Sequence, residues 1–338
     1  MNNEELIKRT FELALNGLGT TWPNPLVGAV IVKDGRIIGE GFHRVKGSDH
    51  AEVDALKNSS ESPEGATIYV NLEPCCHTNK TTPPCAQRLI KEKIKKVVIA
   101  NLDPHPEVNG KGVDLLRSHG IEVEHGILNE QGERLNEVFF TSQRLKRPFI
   151  HLKVATTLDG KTAMPDGESQ WITGEKARQH VHHMRSLHQG IIVGGETVRK
   201  DNPRLTVRLP GYHGKQPYRI VLSKSGNLPE SSHLFTDEFK DKTLVYNDIH
   251  VMLSDLFSKG FINLMLESGP ELSAAFLREG LIDRVSIFQN PSFLGEGKSL
   301  LGNLDIQKLN SRPRLTQVES MWFGEDHFLT GRLICSQD

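Results

Sequence analysis

No apolar stretch of this chain is long enough to cross a bilayer. Runs such as Val27 to Val32 stop far short of the roughly 20 residues that a spanning helix needs. The opening Met1-Asn2-Asn3-Glu4-Glu5 also lacks the basic start and apolar core of a signal peptide, so the expectation is a cytoplasmic protein with no membrane partner. An excess of charge of one sign is missing too. Forty-one Lys and Arg stand against 42 Asp and Glu, and aromatics make up 6%, which argues against a basic, stacking face for nucleic acid. Cysteine is scarce: of four, three lie between positions 75 and 85, and Cys335 reads as a spare thiol. That usage gives no disulfide framework and suits a reducing compartment. Neither a P-loop nor a complete G-x-G-x-x-G fingerprint appears, since Gly295-Glu296-Gly297 lacks the third glycine.

What is present centres on His50-Ala51-Glu52 and Glu73-Pro74-Cys75, closing at Pro83-Pro84-Cys85. One imidazole and two thiolates would give zinc three protein ligands and leave a tetrahedral position open, as in catalytic rather than structural sites. Glu52, two residues from a ligand, is placed to carry protons between an activated water and a leaving amine, which is the chemistry of hydrolytic deamination. H-x-E followed by P-C-x-x-C is the pattern of zinc nucleobase deaminases. The second half departs from it here, because nine residues separate Cys75 from Cys85. Ala86 to Lys91 reads as a helix, which puts Cys85 near a helix N-terminus that favours a thiolate. A closed zinc staple using Cys76 or His77 would explain the same cluster without catalysis.

The spacing of Leu6, Ile7, Phe11, Leu13 and Ala14 predicts a helix over 4–18. A hairpin turns at Lys33-Asp34-Gly35-Arg36, strands are expected at Ala66-Val70, Lys95-Ala100 and Ile121-Val123, and helices at 110–119 and 128–144. Strands alternating with helices indicate a layered α/β domain. Arg144-Leu145-Lys146-Arg147-Pro148 is a basic hinge, and the boundary falls there, giving domains 1–146 and 147–338. Asn24 and His43 flank the cluster and could hydrogen-bond a heterocycle. In the second half, Phe149-Ala155 and Gly190-Gly195 read as strands, and Glu267-Ser268-Gly269-Pro270 follows the strand Leu264-Met265-Leu266 into a helix N-terminus suited to an anion. Arg185 and Arg208 carry guanidinium forks that match phosphate oxygens.

Pro23-Asn24-Pro25, Gly39-Glu40-Gly41-Phe42-His43, His50-Ala51-Glu52 and Leu72-Glu73-Pro74-Cys75 through Cys85 resemble the N-terminal half of the bifunctional riboflavin-biosynthesis deaminase/reductase family. Lys153, Asp159-Gly160, Ser169 to Thr173, Asp201-Asn202-Pro203, Leu205 to Arg208 and Glu267 to Pro270 resemble its C-terminal half. The resemblance implies an α/β protein with a cytidine-deaminase-like three-layer domain followed by a dihydrofolate-reductase-like domain. It implies zinc at His50, Cys75 and Cys85, with Glu52 as proton shuttle and Asn24 and His43 on the substrate. In the second half it implies substrate contacts from Ser169, Arg185, Leu205, Arg208 and Glu267. An NADPH site would be lined by Ala155, Trp171, Thr197, Asp201, Ser223 and Gly269, with Lys153 and Asp201 as candidate reductase participants. The chain departs from the family at Cys76, where Ser is usual, in a loop one residue longer, and at Ser268, where a second glycine is common.

The expected reaction is deamination of 2,5-diamino-6-(5-phosphoribosylamino)pyrimidin-4(3H)-one, followed by NADPH-dependent reduction of its ribosyl group to ribityl. The expected partner is that phosphorylated pyrimidine, with room left for a homo-oligomer. The alternatives are a nucleic-acid or nucleoside deaminase with a C-terminal binding domain, and a zinc module without activity.

Overall fold

In the computed structural model the chain divides into two compact units, Met1–Lys146 and Arg147–Asp338. The structure describes residues 1–76, 84–105 and 108–334, so His77, Thr78 to Pro83 and Cys335 lie outside the described residues.

The first unit opens with α1 (Asn3–Leu15), started by a capping box in which Asn2 and Glu5 satisfy each other's backbone N–H. Strands β1 (Gly28–Lys33) and β2 (Arg36–Phe42) form a hairpin whose turn, Asp34-Gly35, takes positive φ at both residues. There follow α2 (Ala51–Lys57), β3 (Thr67–Leu72), α3 (Cys85–Lys91), β4 (Lys96–Asn101), α4 (Lys111–Ser118) and β5 (Glu122–His125), then α5 (Asn129–Leu135) and α6 (Glu137–Leu145). The sheet order is β2-β1-β3-β4-β5, with β1 antiparallel to β3 and with β3, β4 and β5 parallel.

Alternation along the strands builds the layers. Ile68, Val70, Val97 and Ile99 face one core with Ala51, Ala55, Ala86 and Leu89, while Tyr69, Val98 and Ala100 face the other with Leu6 and Ile7. The result is the three-layer arrangement implied by the resemblance. The single helix expected over 128–144 is two. Asn136 breaks it at φ −107° and ψ 27°, because its buried side chain is turned to the backbone of Leu26, accepting from N–H and donating to C=O at 2.8 Å each.

The second unit contains β6 (Phe149–Thr157), β7 (Lys161–Ala163), α7 (Glu175–Leu187), β8 (Gly190–Gly194), α8 (Gly195–Asp201), β9 (Tyr218–Leu222), α9 (His233–Thr236), β10 (Thr243–Tyr246) and α10 (Ile249–Ser258). It continues with β11 (Asn263–Leu266), α11 (Pro270–Arg278), β12 (Arg284–Asn290), β13 (Lys298–Ser299), β14 (Arg314–Phe323) and β15 (Asp326–Ile334). Its main sheet runs β10-β9-β8-β11-β6-β12-β15-β14, parallel through β12 and antiparallel at the last two strands. Both faces are covered. Ile150, Leu152, Ile192 and Phe276 belong to one core, and Ala177, Met184, Ile191 and Phe288 to the other. In such sheets ligands bind beyond the carboxyl ends of the strands.

One close approach sets the position of α2. A Cβ on Gly41 would lie 2.2 Å from the backbone nitrogen of Ala55 and 2.7 Å from the carbonyl oxygen of Ala51, so the helix rests directly on β2. Gly41→Ala is therefore expected to destabilise the first unit by about 1–3 kcal/mol, as overpacking does. Urea unfolding of the variant beside the parent checks this.

Candidate functional site

The metal-type cluster is assembled where β3 ends and two helices begin. His50 is the N-cap of α2, with extended backbone at φ −72° and ψ 160°, so its ring projects beyond the helix start. Cys85 is the first residue of α3, whose N-cap is Pro84. Cys75 lies three residues past the end of β3. His50 Nδ1 is 3.2 Å from Cys85 Sγ and 3.5 Å from Cys75 Sγ, and the three donor atoms lie within 4.8 Å of one another. Bonds of roughly 2.0–2.1 Å to nitrogen and 2.3 Å to sulfur in a tetrahedron bring ligand atoms about 3.5–3.8 Å apart, so these donors fit zinc with little adjustment. Among the described residues the group has three members. Cys76, adjacent to Cys75, is not one of them, which leaves a closed staple without the Cys76 ligand it invoked.

The two thiols are coupled. The Cys75 thiol is pulled down chiefly by the hydrogen bond from Cys85, with His50 assisting, while Cys85 is pushed up by that same bond and by burial. Glu52, on the first turn of α2, is 4% exposed and hydrogen-bonds the Cys85 side chain. Burial pushes its carboxyl above the ordinary glutamate value, and His50 opposes that shift. A carboxyl that is dry and in contact with a ligand is suited to holding a proton and passing it on.

Asn24 and His43 are brought to the same place. His43 is 3% exposed and its ring stands edge-on to His50, with centroids 5.5 Å apart. Its Nδ1 lies 3.0 Å from the Asp49 carbonyl, which can only accept, so Nδ1 carries the proton. Nε2 then accepts from Asn24 Nδ2 at 3.0 Å. Asn24 is left with its carbonyl oxygen to offer to a ligand.

In the second unit the cluster gathers around Glu267, just past the carboxyl end of β11. Arg185 grips it with two bonds, Nε to Oε1 at 2.7 Å and Nη2 to Oε2 at 3.0 Å, and Lys153 Nζ lies 2.9 Å from Oε2. Burial alone would raise this carboxyl, but Arg185 and Lys153 outweigh it and hold Glu267 well below the usual glutamate range. Arg185 also donates to the Thr206 carbonyl at 3.1 Å, which ties the 202–208 loop to the cluster. Leu205 on that loop is 3% exposed and has φ +54°. Arg208 is disfavoured as a cation by burial and by Arg185 and Arg204, the kind of crowding an anionic ligand relieves.

The cofactor residues implied by the resemblance lie near strand ends. Ala155 is on β6, Thr197 and Asp201 on α8, Ser223 just past β9, and Gly269 is the N-cap of α11. A Cβ on Gly195 would be 2.7 Å from Ser223 Oγ, so the ends of β8 and β9 are held together, while one on Gly269 would meet nothing within 4 Å. A polar floor beside an open helix start fits a phosphate-bearing cofactor. The structure does not unite every implied residue. Trp171 is 65% exposed and lies under Arg178, whose guanidinium is 4.8 Å from the ring centroid, and among the described residues neither it nor Ser169 is bonded to Glu267. Burial pushes the Asp201 carboxyl up, with Lys298 and Lys200 opposing, while Lys153 is paired with Glu267.

Sequence reasoning missed two residues of these sites. Asn71 accepts from Gly28 N–H at 2.7 Å and donates to the Leu26 carbonyl at 2.8 Å, so it holds the segment that carries Asn24. A polar residue directly after the apolar run Ile68-Tyr69-Val70, at the penultimate position of β3, was the available signal. His182 accepts the Arg208 backbone N–H at 3.2 Å through Nδ1, and its position three residues before Arg185 on α7 places both on one helix face.

Comparison with known proteins finds a match in each unit. Residues 1–101 match the cytidine and deoxycytidylate deaminase zinc-binding region, and residues 148–329 match the RibD C-terminal domain. Riboflavin biosynthesis protein RibD of Aquifex aeolicus is 39% identical, with 96% of each chain covered, and that of Escherichia coli is 36% identical over 96% of this chain and 98% of its own. Among solved structures, Acinetobacter baumannii RibD superposes with a TM-score of 0.90 at 39% identity, covering 99% of both chains. A diaminohydroxyphosphoribosylaminopyrimidine deaminase/5-amino-6-(5-phosphoribosylamino)uracil reductase from Thermotoga maritima does so with 0.86 at 37%, covering 98% of both. The chain thus belongs to the RibD family, the bifunctional deaminase/reductases of riboflavin biosynthesis, with zinc and NADPH as its cofactors.

Proposed function

We propose that the two activities divide at the boundary between the units, with deamination in residues 1–146 and reduction in residues 147–338. The observation that carries this reading is the meeting of His50, Cys75 and Cys85 beside a buried Glu52 in the first unit, while the part-buried Glu267 cluster lies wholly in the second. In the first unit His50, Cys75 and Cys85 would hold zinc, which would supply an activated water. Glu52 would pass a proton from the attacking water to the amine, the water oxygen bonding to the ring carbon as its C–N bond breaks, so that ammonia leaves and a carbonyl remains. Asn24, fixed by His43, offers its oxygen to the pyrimidine ring, and the apolar packing around Glu52 keeps bulk water from the exchange.

In the second unit Arg208 takes the phosphate end of the deaminated product, and Arg185 and Glu267 form the polar wall beside it, with Ser169 and Leu205 completing the contacts. NADPH would supply the hydride that reduces the former ribose C1 of the ring-opened imine. Ala155, Trp171, Thr197, Asp201, Ser223 and Gly269 orient it. Lys153 is engaged by Glu267, so its part is to hold that carboxylate rather than to donate a proton.

The balance of 41 basic and 42 acidic residues supports a small-molecule substrate rather than a nucleic acid. Metal ligation by thiolates supports a reducing, cytoplasmic setting. The exposed edge strand β14, with Val318, Met321 and Trp322 in solvent, allows for a homo-oligomer. Among the described residues no helix is long and apolar enough to cross a membrane.

A coupled assay following ammonia and NADPH absorbance on the phosphoribosylated diaminopyrimidinone is expected to show ammonia first and cofactor oxidation second. Glu52→Gln is expected to lower ammonia release by about 100-fold or more, the usual worth of a positioned proton carrier. Zinc content and reduction of pre-deaminated substrate should be unchanged. Arg208→Ala is expected to spare ammonia release and weaken reduction by about 10- to 100-fold, as loss of a charge-assisted hydrogen bond does. Stripping the metal with a chelator should abolish ammonia release while NADPH oxidation on pre-deaminated substrate continues. Loss of both activities in any of these experiments, with folding intact, would count against the division.

A further inference from the structure

Glu73 is a buried carboxylate, 4% exposed, two residues before Cys75. Among the described residues no cation is paired with it. Instead four backbone N–H groups converge on it. Gly112 and Val113 donate to Oε1 at 2.9 and 3.2 Å, and Gly110 and Asp103 donate to Oε2 at 2.9 and 3.2 Å. These donors leave the carboxyl end of β4 and enter α4, so one side chain ties the strand-to-helix connection of β4 to the end of β3. The contact continues through the main chain. Glu73 N–H donates to the Asn101 carbonyl at 2.9 Å, and a Cβ on Gly112 would lie 2.4 Å from the Pro74 carbonyl oxygen. The start of α4 therefore rests directly on the peptide that leads into Cys75.

A carboxylate that satisfies four otherwise unpartnered N–H groups is a strong and directional anchor, because each bond involves the charge. Cys75 needs such an anchor. It lies outside the strand ladder, and its Sγ must stay within ligand distance of His50 and Cys85, which come from two other elements. We propose that Glu73 is a positioning residue for deamination, fixing the Pro74-Cys75 segment, and with it the Cys75 thiolate, against the start of α4. This rests on the reading of His50, Cys75 and Cys85 as the deaminase metal site.

The test is Glu73→Gln in the full-length protein. Glutamine keeps the size but offers one oxygen, and its amide N–H groups face two of the backbone donors. The zinc-loaded variant is expected to hold one zinc per chain and to lose at least tenfold in kcat for ammonia release, with KM within threefold of the parent. Reduction of pre-deaminated substrate serves as the internal reference and should stay within twofold. Loaded with Co²⁺ alone, the variant is expected to shift the thiolate-to-metal absorption, a readout that general loss of stability would not move. An unchanged kcat, or a lower kcat with an unchanged cobalt spectrum, overturns the proposal. If Glu73→Gln does not fold, Gly112→Ala disturbs the same contact with the carboxylate retained, since its Cβ would lie 2.4 Å from the Pro74 carbonyl oxygen and 3.0 Å from Glu73 Oε1, and the same pair of readouts decides. If the parent protein releases no ammonia, the deaminase reading fails, and the cobalt spectra alone judge whether Glu73 positions Cys75.

Discussion

Three side chains from separate elements can share one ion only if two helices begin within a few ångströms of one strand's end, and the first unit is arranged around that constraint. The order β2-β1-β3-β4-β5 places β3 at the centre, so the segment beyond it is walled by neighbours on both sides. Helix α2 is pressed onto β2 where Gly41 has no side chain, which fixes where His50 and Glu52 project. Helix α3 starts at Cys85, whose own N–H donates to Cys75 Sγ at 3.4 Å, so the ligands are cross-braced as well as adjacent. Burial of Glu52 follows from the same packing. A helix that rests so close to the sheet buries Ala51, Glu52 and Ala55 on the side it presents there.

The second unit solves a different problem, that of keeping a carboxylate charged where little water reaches it. Glu267 is largely shielded from solvent, a situation that by itself would push its carboxyl up towards the neutral form. Arg185 and Lys153 reach it from α7 and β6, so the charge is retained only because three elements agree on one position. Removing either cation would leave buried charge unbalanced, the costly form of a broken ion pair. The first unit fixes its loops with backbone amides and asparagine side chains instead. Both ways of fixing a loop end at the carboxyl edge of parallel strands, where main-chain groups run out of strand partners.

How much of this was legible in the sequence depended on whether a residue signals through its neighbours in the chain or only through neighbours in space. The metal ligands stood out because their types and spacing are rare together. The strand-rich stretches were visible through alternation and Gly-containing turns. Asn136 was not, because a helix-compatible sequence gives no warning that one side chain is needed 110 residues away at Leu26. Glu73 hides for the same reason. Its partners are backbone N–H groups, which carry no residue identity, so nothing in the composition of 103–113 marks them as its ligands. Arg185 and Arg208 could be suggested from their chemistry, but whether they reach each other's ligand is a matter of the β8 and β11 crossovers. Trp171 shows the converse. Its motif is easily read, yet its ring lies in solvent against Arg178.

Leu205 holds one more consequence. A leucine in the left-handed region bears roughly 1–2 kcal/mol of backbone strain, and burying its side chain returns about 1.5–3 kcal/mol. Glycine there would relax the backbone and forfeit the burial, so the two contributions nearly cancel. The shape of the 202–208 loop is thus held by a spring under light load, with the side chain as its catch.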